Sequence, residues 1–260
     1  MMGKSARGWL GATLFGSLAT LWASVLAFMS PDPHAVDLQN VLAGPTVQHW
    51  LGTDHLGRDL AARLIVGAEP SLIAVAIVLG ASLGIGVAAG AVMTVGPASA
   101  REAVKWLAHT VLTLPTLITA LLIAAVLGAG TTTVALALVV TAWAPYALTV
   151  NALFERLRAE PYWQASLALG AGMPGAVWRH MVPNAWPALG ALAGADAGRA
   201  VILVASLGFI GLTADTGEPE WGGMINEYRV FLFSEPRLVL APLLATAILS
   251  FWLNRLLDRT

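Results

Sequence analysis

The chain has 260 residues, of which 57% are hydrophobic and 11% are charged, and its net charge is −1. A soluble domain carries about 25% charged residues, so the composition indicates a membrane protein. The chain has no cysteine, which excludes disulfides, thiol nucleophiles and thiolate metal sites. Its 14 basic residues are scattered at the ends of apolar segments, unlike the clustered charge of a nucleic-acid surface.

The first apolar segment predicts a transmembrane helix. Trp9 to Met29 contains no charged residue, and as a helix it measures ~31 Å, enough to cross the hydrocarbon core. The apolar part of a cleaved signal peptide is shorter, about 7–15 residues. Residues 1–29 are therefore predicted to be an N-terminal tail and a retained first span.

Residues 30–70 form a polar connection that ends in an amphipathic segment. Leu56, Leu60 and Leu64 recur every four residues, which predicts a helix lying at the membrane interface. His34, His49, His55 and Asp54 occur here, but their spacing fits no metal-ligand pattern, so no metal site is predicted.

Three further spans are predicted at residues 71–93, 106–127 and 132–153. In the first of these, Gly80 and Gly84, and Gly86 and Gly90, are four residues apart, a spacing that lets helix backbones approach closely in lipid. Pro115 predicts a kink in the third span, and Pro145 interrupts the fourth.

The second span also contains a G-x-S-x-G string, which raises the alternative of an intramembrane serine hydrolase. Such a nucleophile needs a strand-to-helix turn, whereas Ser82 falls in the middle of a predicted helix. The only candidate base within a span, His109, lies on the order of 10 Å away in depth, at 1.5 Å of rise per residue. The pattern therefore argues against an enzyme.

The segment from Glu160 to Pro187 is too polar and too broken to cross a membrane. It predicts a short helix from Tyr162 to Leu169, ended by Gly170 and Gly172. A second short helix begins at Pro174. Residues 182–184 are then predicted to turn into the next span.

Two further spans are predicted, with an acidic loop between them. The fifth span, residues 188–212, carries Asp196 and Arg199 near its middle, three residues apart and hence on one helix face. Charges at that depth face the bundle interior or an aqueous path. Two interpretations stay open, a structural ion pair and a lining of the translocation path. An acidic loop, residues 213–237, precedes the sixth span, residues 238–257.

Several of these segments resemble ABC-transporter permeases of the dipeptide, oligopeptide and nickel importer family, in particular the second permease subunit. The loop order of Tyr162, Gln164-Ala165-Ser166, Leu169-Gly170-Ala171, Arg179-His180 and Val182-Pro183-Asn184 is similar to the family's EAA loop, with Gln164 for the usual Glu and Ser166 for the second Ala. The segments LGTDHLGRD, residues 51–59, and EPEWGGM, residues 218–224, are similar to family segments as well.

The resemblance implies an all-α polytopic fold, the type I ABC importer permease fold, with six transmembrane helices and a cytoplasmic coupling-helix loop. The EAA loop would dock on an ATPase subunit, and Tyr162 and Trp163 are predicted to supply the main contacts. The residues that the resemblance assigns to ATPase coupling are Tyr162, Trp163, Gln164, Ala165, Ser166, Leu169, Gly170 and Pro183. Asp196 and Arg199 are the candidates for the translocation path. The implied partners are a second permease, two ATPases, a periplasmic substrate-binding protein and membrane lipid.

The charge distribution predicts the orientation of the chain. With six spans, one side collects nine basic residues and the other side four, and the side with more basic residues faces the cytoplasm. The nine are Lys4, Arg7, Arg101, Lys105, Arg156, Arg158, Arg179, Arg255 and Arg259. Both termini and the loop 154–187 are therefore predicted to be cytoplasmic, with residues 30–70 a periplasmic loop and 71–260 a five-helix permease core.

No segment resembles a Walker A loop, because Gly170-Ala171-Gly172 is followed by Met173-Pro174. The chain is therefore predicted to hold no cofactor and no metal, with ATP and Mg bound by partner subunits. The expected function is import of small peptides, or of nickel or a metal chelate, across the bacterial inner membrane. The alternatives are a stand-alone secondary transporter or channel and a purely structural assembly subunit.

Overall fold

A computed structural model describes residues 32–170, 172–213 and 218–257. Within these ranges the protein is mostly helical and contains no strand, only an isolated β-bridge between Thr53 and Asp59. The first predicted span, residues 9–29, lies outside the described residues.

The described helices follow one another with short connections. In chain order they are α1 (Leu60–Val95), α2 (Ala98–Thr113), α3 (Thr116–Leu127), α4 (Thr131–Arg158), α5 (Pro161–Ala168), α6 (Met173–Ala176), α7 (Val182–Phe209), α8 (Trp221–Tyr228) and α9 (Pro236–Leu257). A π-helical segment, Val177–Met181, joins α6 to α7, and a 3₁₀ turn, Arg229–Phe231, follows α8.

Within the described ranges, four helical stretches are long and apolar enough to cross a membrane: Leu60–Val95, Thr131–Arg158, Val177–Phe209 and Pro236–Arg255. The pair α2 and α3 passes the same test together, but its two halves meet at 97°. The kink predicted at Pro115 is therefore a break. Pro115 disfavours a helical conformation in the residue before it, and Leu114 is extended, with φ −81° and ψ 127°.

Helix α1 is a single continuous element where the sequence suggested two. The Asp59 side chain accepts a hydrogen bond of 2.7 Å from the Ala62 amide and caps the helix. The 36 residues of α1 measure ~54 Å at 1.5 Å per residue, longer than the ~30 Å hydrocarbon core. The amphipathic segment and the second predicted span are thus one helix, with Pro70 inside it.

The turn predicted at residues 182–184 is wrong, because these residues form the first turn of α7. Pro183 falls at the first or second helical position, where its missing N–H removes no intrahelical hydrogen bond. The π-helical segment carries the chain into α7 without a loop. Pro145 likewise leaves α4 continuous from Thr131 to Arg158.

Helices α1 and α4 form the centre of the bundle and approach closely at two glycines. A Cβ atom built on Gly86 would lie 2.3 Å from Tyr146 Cβ, and one on Gly90 would lie 2.5 Å from Val150 Cβ. Gly80 and Gly84 have nothing within 4 Å. Of the two small-residue pairs in this helix, only the second permits the contact with α4.

Candidate functional site

The short helix predicted from Tyr162 to Leu169 is present as α5, Pro161–Ala168, and it ends where the glycine pattern indicates. Gly170 has φ +87°, a left-handed conformation that only glycine adopts without strain and that commonly ends helices. The second short helix predicted from Pro174 begins at Met173. Both expectations for this segment, a short helix and a glycine stop, are confirmed.

Trp163 anchors α5 to the permease itself and not to a partner. Its side chain is 3% exposed and packs in a buried cluster with Phe154 of α4 and with Val177 and Met181 before α7. The expectation that Trp163 contacts a groove on another subunit is therefore corrected. A buried tryptophan of this kind fixes the position of α5 relative to α4 and α7.

The other predicted coupling residues are largely accessible. Tyr162 is 41% exposed and Leu169 is 88% exposed, and the Tyr162 ring lies 6.0 Å from that of His180 between centroids. The remaining positions divide by exposure: Gln164, Ala165, Gly170 and Pro183 are exposed and Ser166 is half-buried. One face of α5 thus packs on the bundle while Tyr162 and Leu169 stay available to a partner.

A hydrogen bond ties the ends of α1 and α4 together on the same side of the bundle as α5. Arg158 donates from Nη1 to the Thr94 carbonyl oxygen at 2.9 Å. Thr94 Oγ1 in turn lies 3.2 Å from Asn151 Oδ1. Only two residues separate the end of α4 from the start of α5, so α5 lies next to this contact between α1 and α4.

A cavity of about 180 Å³ opens in the bundle next to the break between α2 and α3. Residues of α1, α2, α3, α4 and α7 line it. Its polar lining residues are Ser82 of α1, Thr116 of α3, Thr141 and Tyr146 of α4, and Asp196 and Arg199 of α7. The cavity therefore brings together polar side chains from four of these helices.

Asp196 and Arg199 both face this cavity, but they do not pair with each other. Among the ion pairs of the described residues, none within 4.0 Å joins these two side chains. Asp196 is half-buried and Arg199 is exposed to the cavity and its mouth. The interpretation of a structural ion pair is thus not supported by the geometry.

Two residues of the cavity lining, Ser82 and Tyr146, carry buried hydroxyl groups, and each is 1% exposed. Ser82 Oγ makes no hydrogen bond within the described part of the chain, whereas the Tyr146 hydroxyl interacts with the Asp196 carboxylate. Buried polar groups normally have partners, so Ser82 Oγ marks a position that a ligand or water can complete. Tyr146 was not predicted from the sequence, although a polar side chain inside a predicted span is a signal for such a site.

At the opposite end from α5, the LGTDHLGRD segment packs against α8. Asp54 is fully buried and accepts from the amides of Leu56 and Arg58 at 2.8 and 2.9 Å, from Arg58 Nε at 2.7 Å and from the Tyr228 hydroxyl at 3.0 Å. Glu227 accepts a hydrogen bond from Arg58 Nη2. It also accepts one from Arg63 Nη2 at 2.9 Å. The LGTDHLGRD segment and the end of α8, the helix that begins within the EPEWGGM segment, thus form one ion-pair network.

Trp221 of the EPEWGGM segment belongs to this packed region. Its side chain is 7% exposed and donates from Nε1 to the Leu64 carbonyl oxygen at 2.8 Å. Glu220 caps α8, accepting from the amides of Gly222 and Gly223, each at 2.9 Å. The EWGG sequence therefore serves to start α8 and dock it on α1.

Asp54, His55 and Glu227 offer ligand atoms within 4.8 Å of one another, the spacing of a metal site. Both carboxylates are already engaged by the Arg58 guanidinium. A divalent cation would have to displace this arginine and sit beside Arg63 as well. The cluster is an ion-pair network whose charges are already balanced.

The fold and this arrangement define a polytopic helical membrane protein of the permease class. The profile of the family described as "Binding-protein-dependent transport system inner membrane component" matches residues 76–260. The chain belongs to this family, which functions in transport and not in catalysis, and whose members lie in the bacterial inner membrane. The resemblance drawn from the loop and the two flanking motifs is confirmed.

Curated relatives agree with this assignment. The chain is 36% identical over 214 residues to the nickel transport system permease protein NikC of Escherichia coli K12, covering 82% of this chain and 77% of the relative. It is 31% identical to the probable D,D-dipeptide transport system permease protein DdpC of the same strain, covering 78% and 68%. It is 30% identical to the glutathione transport system permease protein GsiD of an E. coli O6 strain, covering 90% and 78%.

A solved structure shares the fold. A chain of the MetNI methionine ABC transporter in an inward-facing conformation superposes with a TM-score of 0.58 at 17% identity, covering 76% of this chain and 95% of that chain. At this identity the comparison speaks to the fold alone.

Proposed function

We propose that this chain is one of two permease subunits in an ATP-driven importer, and that it works with two ATPase subunits and an external substrate-binding protein. ATP and Mg belong to the ATPase subunits in this proposal, and this chain hydrolyses nothing. Its family assignment supports a binding-protein-dependent system. The observation that carries the proposal is α5, a short helix anchored by Trp163 with Tyr162 and Leu169 left exposed.

The proposed role of α5 is to receive the movement of an ATPase subunit. Tyr162, Gln164, Ala165, Leu169 and Gly170 provide the accessible surface, and large amphipathic side chains such as tyrosine dominate interface energetics. Trp163 couples that surface to α4 and α7 through its buried cluster. Pro183, exposed at the start of α7, would pass the motion into the helix that carries Asp196 and Arg199.

The proposed orientation places both termini and the α5 end in the cytoplasm, with the Asp54 network outside. The excess of basic residues on the α5 side supports it. It also places α5 where ATP is available, and the LGTDHLGRD segment where a binding protein delivers substrate.

Small peptides are the proposed substrate, and Asp196 and Arg199 are the proposed lining of the path. A cavity with one positive and one negative side chain suits a ligand that carries both charges. Nickel or a metal chelate is the second candidate, because a nickel permease is 36% identical to the chain. Arg199 disfavours a bare cation in the cavity, which weighs toward the peptide.

Proteoliposomes provide the test. The chain, purified with its partners from its host, is reconstituted with ATP inside the vesicle lumen or outside, and uptake of dialanine and of nickel chloride is followed with the binding protein added. ATP-dependent uptake of dialanine supports the proposal, and ATP-dependent uptake of nickel replaces the substrate assignment. Uptake that is independent of ATP contradicts the importer and indicates a secondary transporter or channel.

A further inference from the structure

We propose that the cavity between α1, α4 and α7 is a subsite for a small zwitterion, an amino acid or a dipeptide, whose carboxylate binds Arg199 and whose ammonium group binds Asp196. The inference rests on the proposed function in one respect only, that the ligand enters the cavity as substrate. It assigns a chemical role to each charged side chain.

The first support is the separation of the two charges. Residues three apart on a helix differ by ~4.5 Å along its axis, close enough for a direct ion pair, yet Asp196 and Arg199 make none within 4.0 Å. Unpaired charges inside a membrane cost several kcal/mol and mark functional sites. A zwitterion placed between the two side chains would neutralise both at once.

The second support is an unpartnered hydroxyl in the same cavity. Ser82 Oγ is buried without a hydrogen bond within the described part of the chain, and Ser82 and Tyr146 line the cavity with Asp196 and Arg199. A hydroxyl donates to a carboxylate and accepts from an ammonium group. Ser82 therefore adds a hydrogen bond for either end of the ligand, beside the Tyr146 hydroxyl that faces Asp196.

The third support is the start of α3. Thr116, the first residue of this helix, lines the cavity. The N-cap residue is Pro115, and no side chain accepts a capping hydrogen bond from the first turn. The positive end of the helix dipole favours an anion, and discontinuous helices in transporters direct such ends at anionic groups of the substrate. The break at Pro115 thus adds to the attraction that Arg199 exerts on a carboxylate.

The size of the cavity limits the ligand. At about 180 Å³ it is smaller than the roughly 300–1,000 Å³ of sites for drug-sized ligands. An extended residue spans ~3.3–3.6 Å, so the charged ends of a dipeptide lie within about 7 Å of each other. Long peptides would place at most one charged end in this subsite.

The test measures ligand binding to the complex purified from its host and held in lipid nanodiscs, without the binding protein. Saturation-transfer NMR compares dialanine, N-acetyl-dialanine and dialanine amide. The wild type is expected to bind dialanine at least about tenfold more tightly than either blocked form, since each lost charge-assisted hydrogen bond costs about tenfold or more.

The variants assign the two ends. Arg199→Gln is expected to weaken dialanine binding about tenfold and to leave the binding of dialanine amide unchanged. Asp196→Asn is expected to weaken dialanine binding about tenfold and to leave the binding of N-acetyl-dialanine unchanged. Arg101→Gln and Glu102→Gln, on α2 away from the cavity, are the matched controls and should bind as the wild type. Ser82→Ala removes only a hydroxyl that has no partner within the described residues, so it should leave folding intact and weaken dialanine a few-fold.

Two outcomes overturn the subsite: equal binding of the three dialanine forms, or unchanged dialanine binding in Arg199→Gln and Asp196→Asn. A complex with ATP-driven dialanine uptake but no binding of this kind keeps the proposed function and loses the subsite. A complex that binds dialanine as expected but shows no ATP-driven uptake keeps the subsite and loses the importer.

Discussion

Arg63 donates a hydrogen bond of 2.9 Å from Nη2 to Glu227 Oε2, joining the start of α1 to the end of α8 across 164 residues. The buried Asp54 lies in the same network and binds Arg58 and Tyr228. The network holds the LGTDHLGRD segment against the end of α8, and it therefore fixes one end of the longest helix in the described part of the chain.

Removing the charge of Asp54 should destabilise this end of the protein. Asp54→Asn leaves Arg58 and Arg63 with one carboxylate between them, and breaking a buried pair costs about 3–5 kcal/mol. We expect a clear fall in Tm, followed by tryptophan fluorescence of the purified chain in detergent. Asp32→Asn, at an exposed position, is the control and should change stability by less than about 0.5 kcal/mol. Equal Tm values for the two variants would show that the network does not stabilise the fold.

The same carboxylate predicts a dependence on pH. Burial alone raises the pKa of Asp54, but the amides of Leu56 and Arg58 and the Arg58 charge outweigh it, so the pKa lies below its usual value of 3.8. A lowered pKa in the folded state gives stability that is present above the unfolded pKa and is lost as pH falls through the folded one. The Tm difference between wild type and Asp54→Asn should be constant above about pH 5 and should shrink below about pH 4. A difference that persists unchanged at about pH 3 would contradict the assignment.

Adjacent residues of α5 should respond differently to truncation. Trp163→Ala removes a buried side chain, which costs about 3–5 kcal/mol, and should lower Tm and expression. Tyr162→Ala removes an accessible one and should keep both, while ATP hydrolysis by the complex becomes uncoupled from transport. The ratio of substrate taken up to ATP hydrolysed is the measurement. Unchanged coupling in Tyr162→Ala would remove α5 from the proposed transmission of movement.

Substitutions at Gly170 and Gly172 test the effect of backbone conformation separately from the effect of available space. Neither Gly170 nor Gly172 has an atom within 4 Å of a Cβ position, but only Gly170 has a positive φ, +87°. Gly170→Ala should therefore cost about 1–2 kcal/mol of backbone strain and reduce coupling, and Gly170→Pro should abolish it. Gly172→Ala should behave as the wild type. Similar coupling in the two alanine variants would show that the left-handed stop is not required.

The sequence predicted the elements that depend on local chemistry. The helix of α5 and its stop at Gly170 follow from composition and from the conformational freedom of glycine, and the apolar segments follow from hydropathy. It did not predict burial, because burial depends on packing between distant segments. Trp163 was predicted to contact an ATPase subunit, yet its side chain is 3% exposed. Asp196 and Arg199 share a face as their spacing requires, but their failure to pair depends on side-chain directions that spacing does not fix.

The close approach of α1 and α4 gives a further prediction. Gly90→Ala would place a Cβ 2.5 Å from Val150 Cβ and 2.7 Å from the Ala147 carbonyl oxygen, and overpacking of this kind costs about 1–3 kcal/mol. Gly84→Ala on the same helix meets nothing within 4 Å and should keep the Tm of the purified chain. A tolerated Gly90→Ala would mean that α1 and α4 lie further apart than the structure has them.

The central claim is that this chain works as the permease of an ATP-driven importer. The most direct measurement is the ATPase activity of the tagged chain purified in mild detergent from its host, with each accompanying protein identified by mass. The account predicts recovery with a second permease and ATPase subunits, together with ATP hydrolysis that Tyr162→Ala uncouples from transport. Recovery of the chain alone, without ATP hydrolysis, would contradict it.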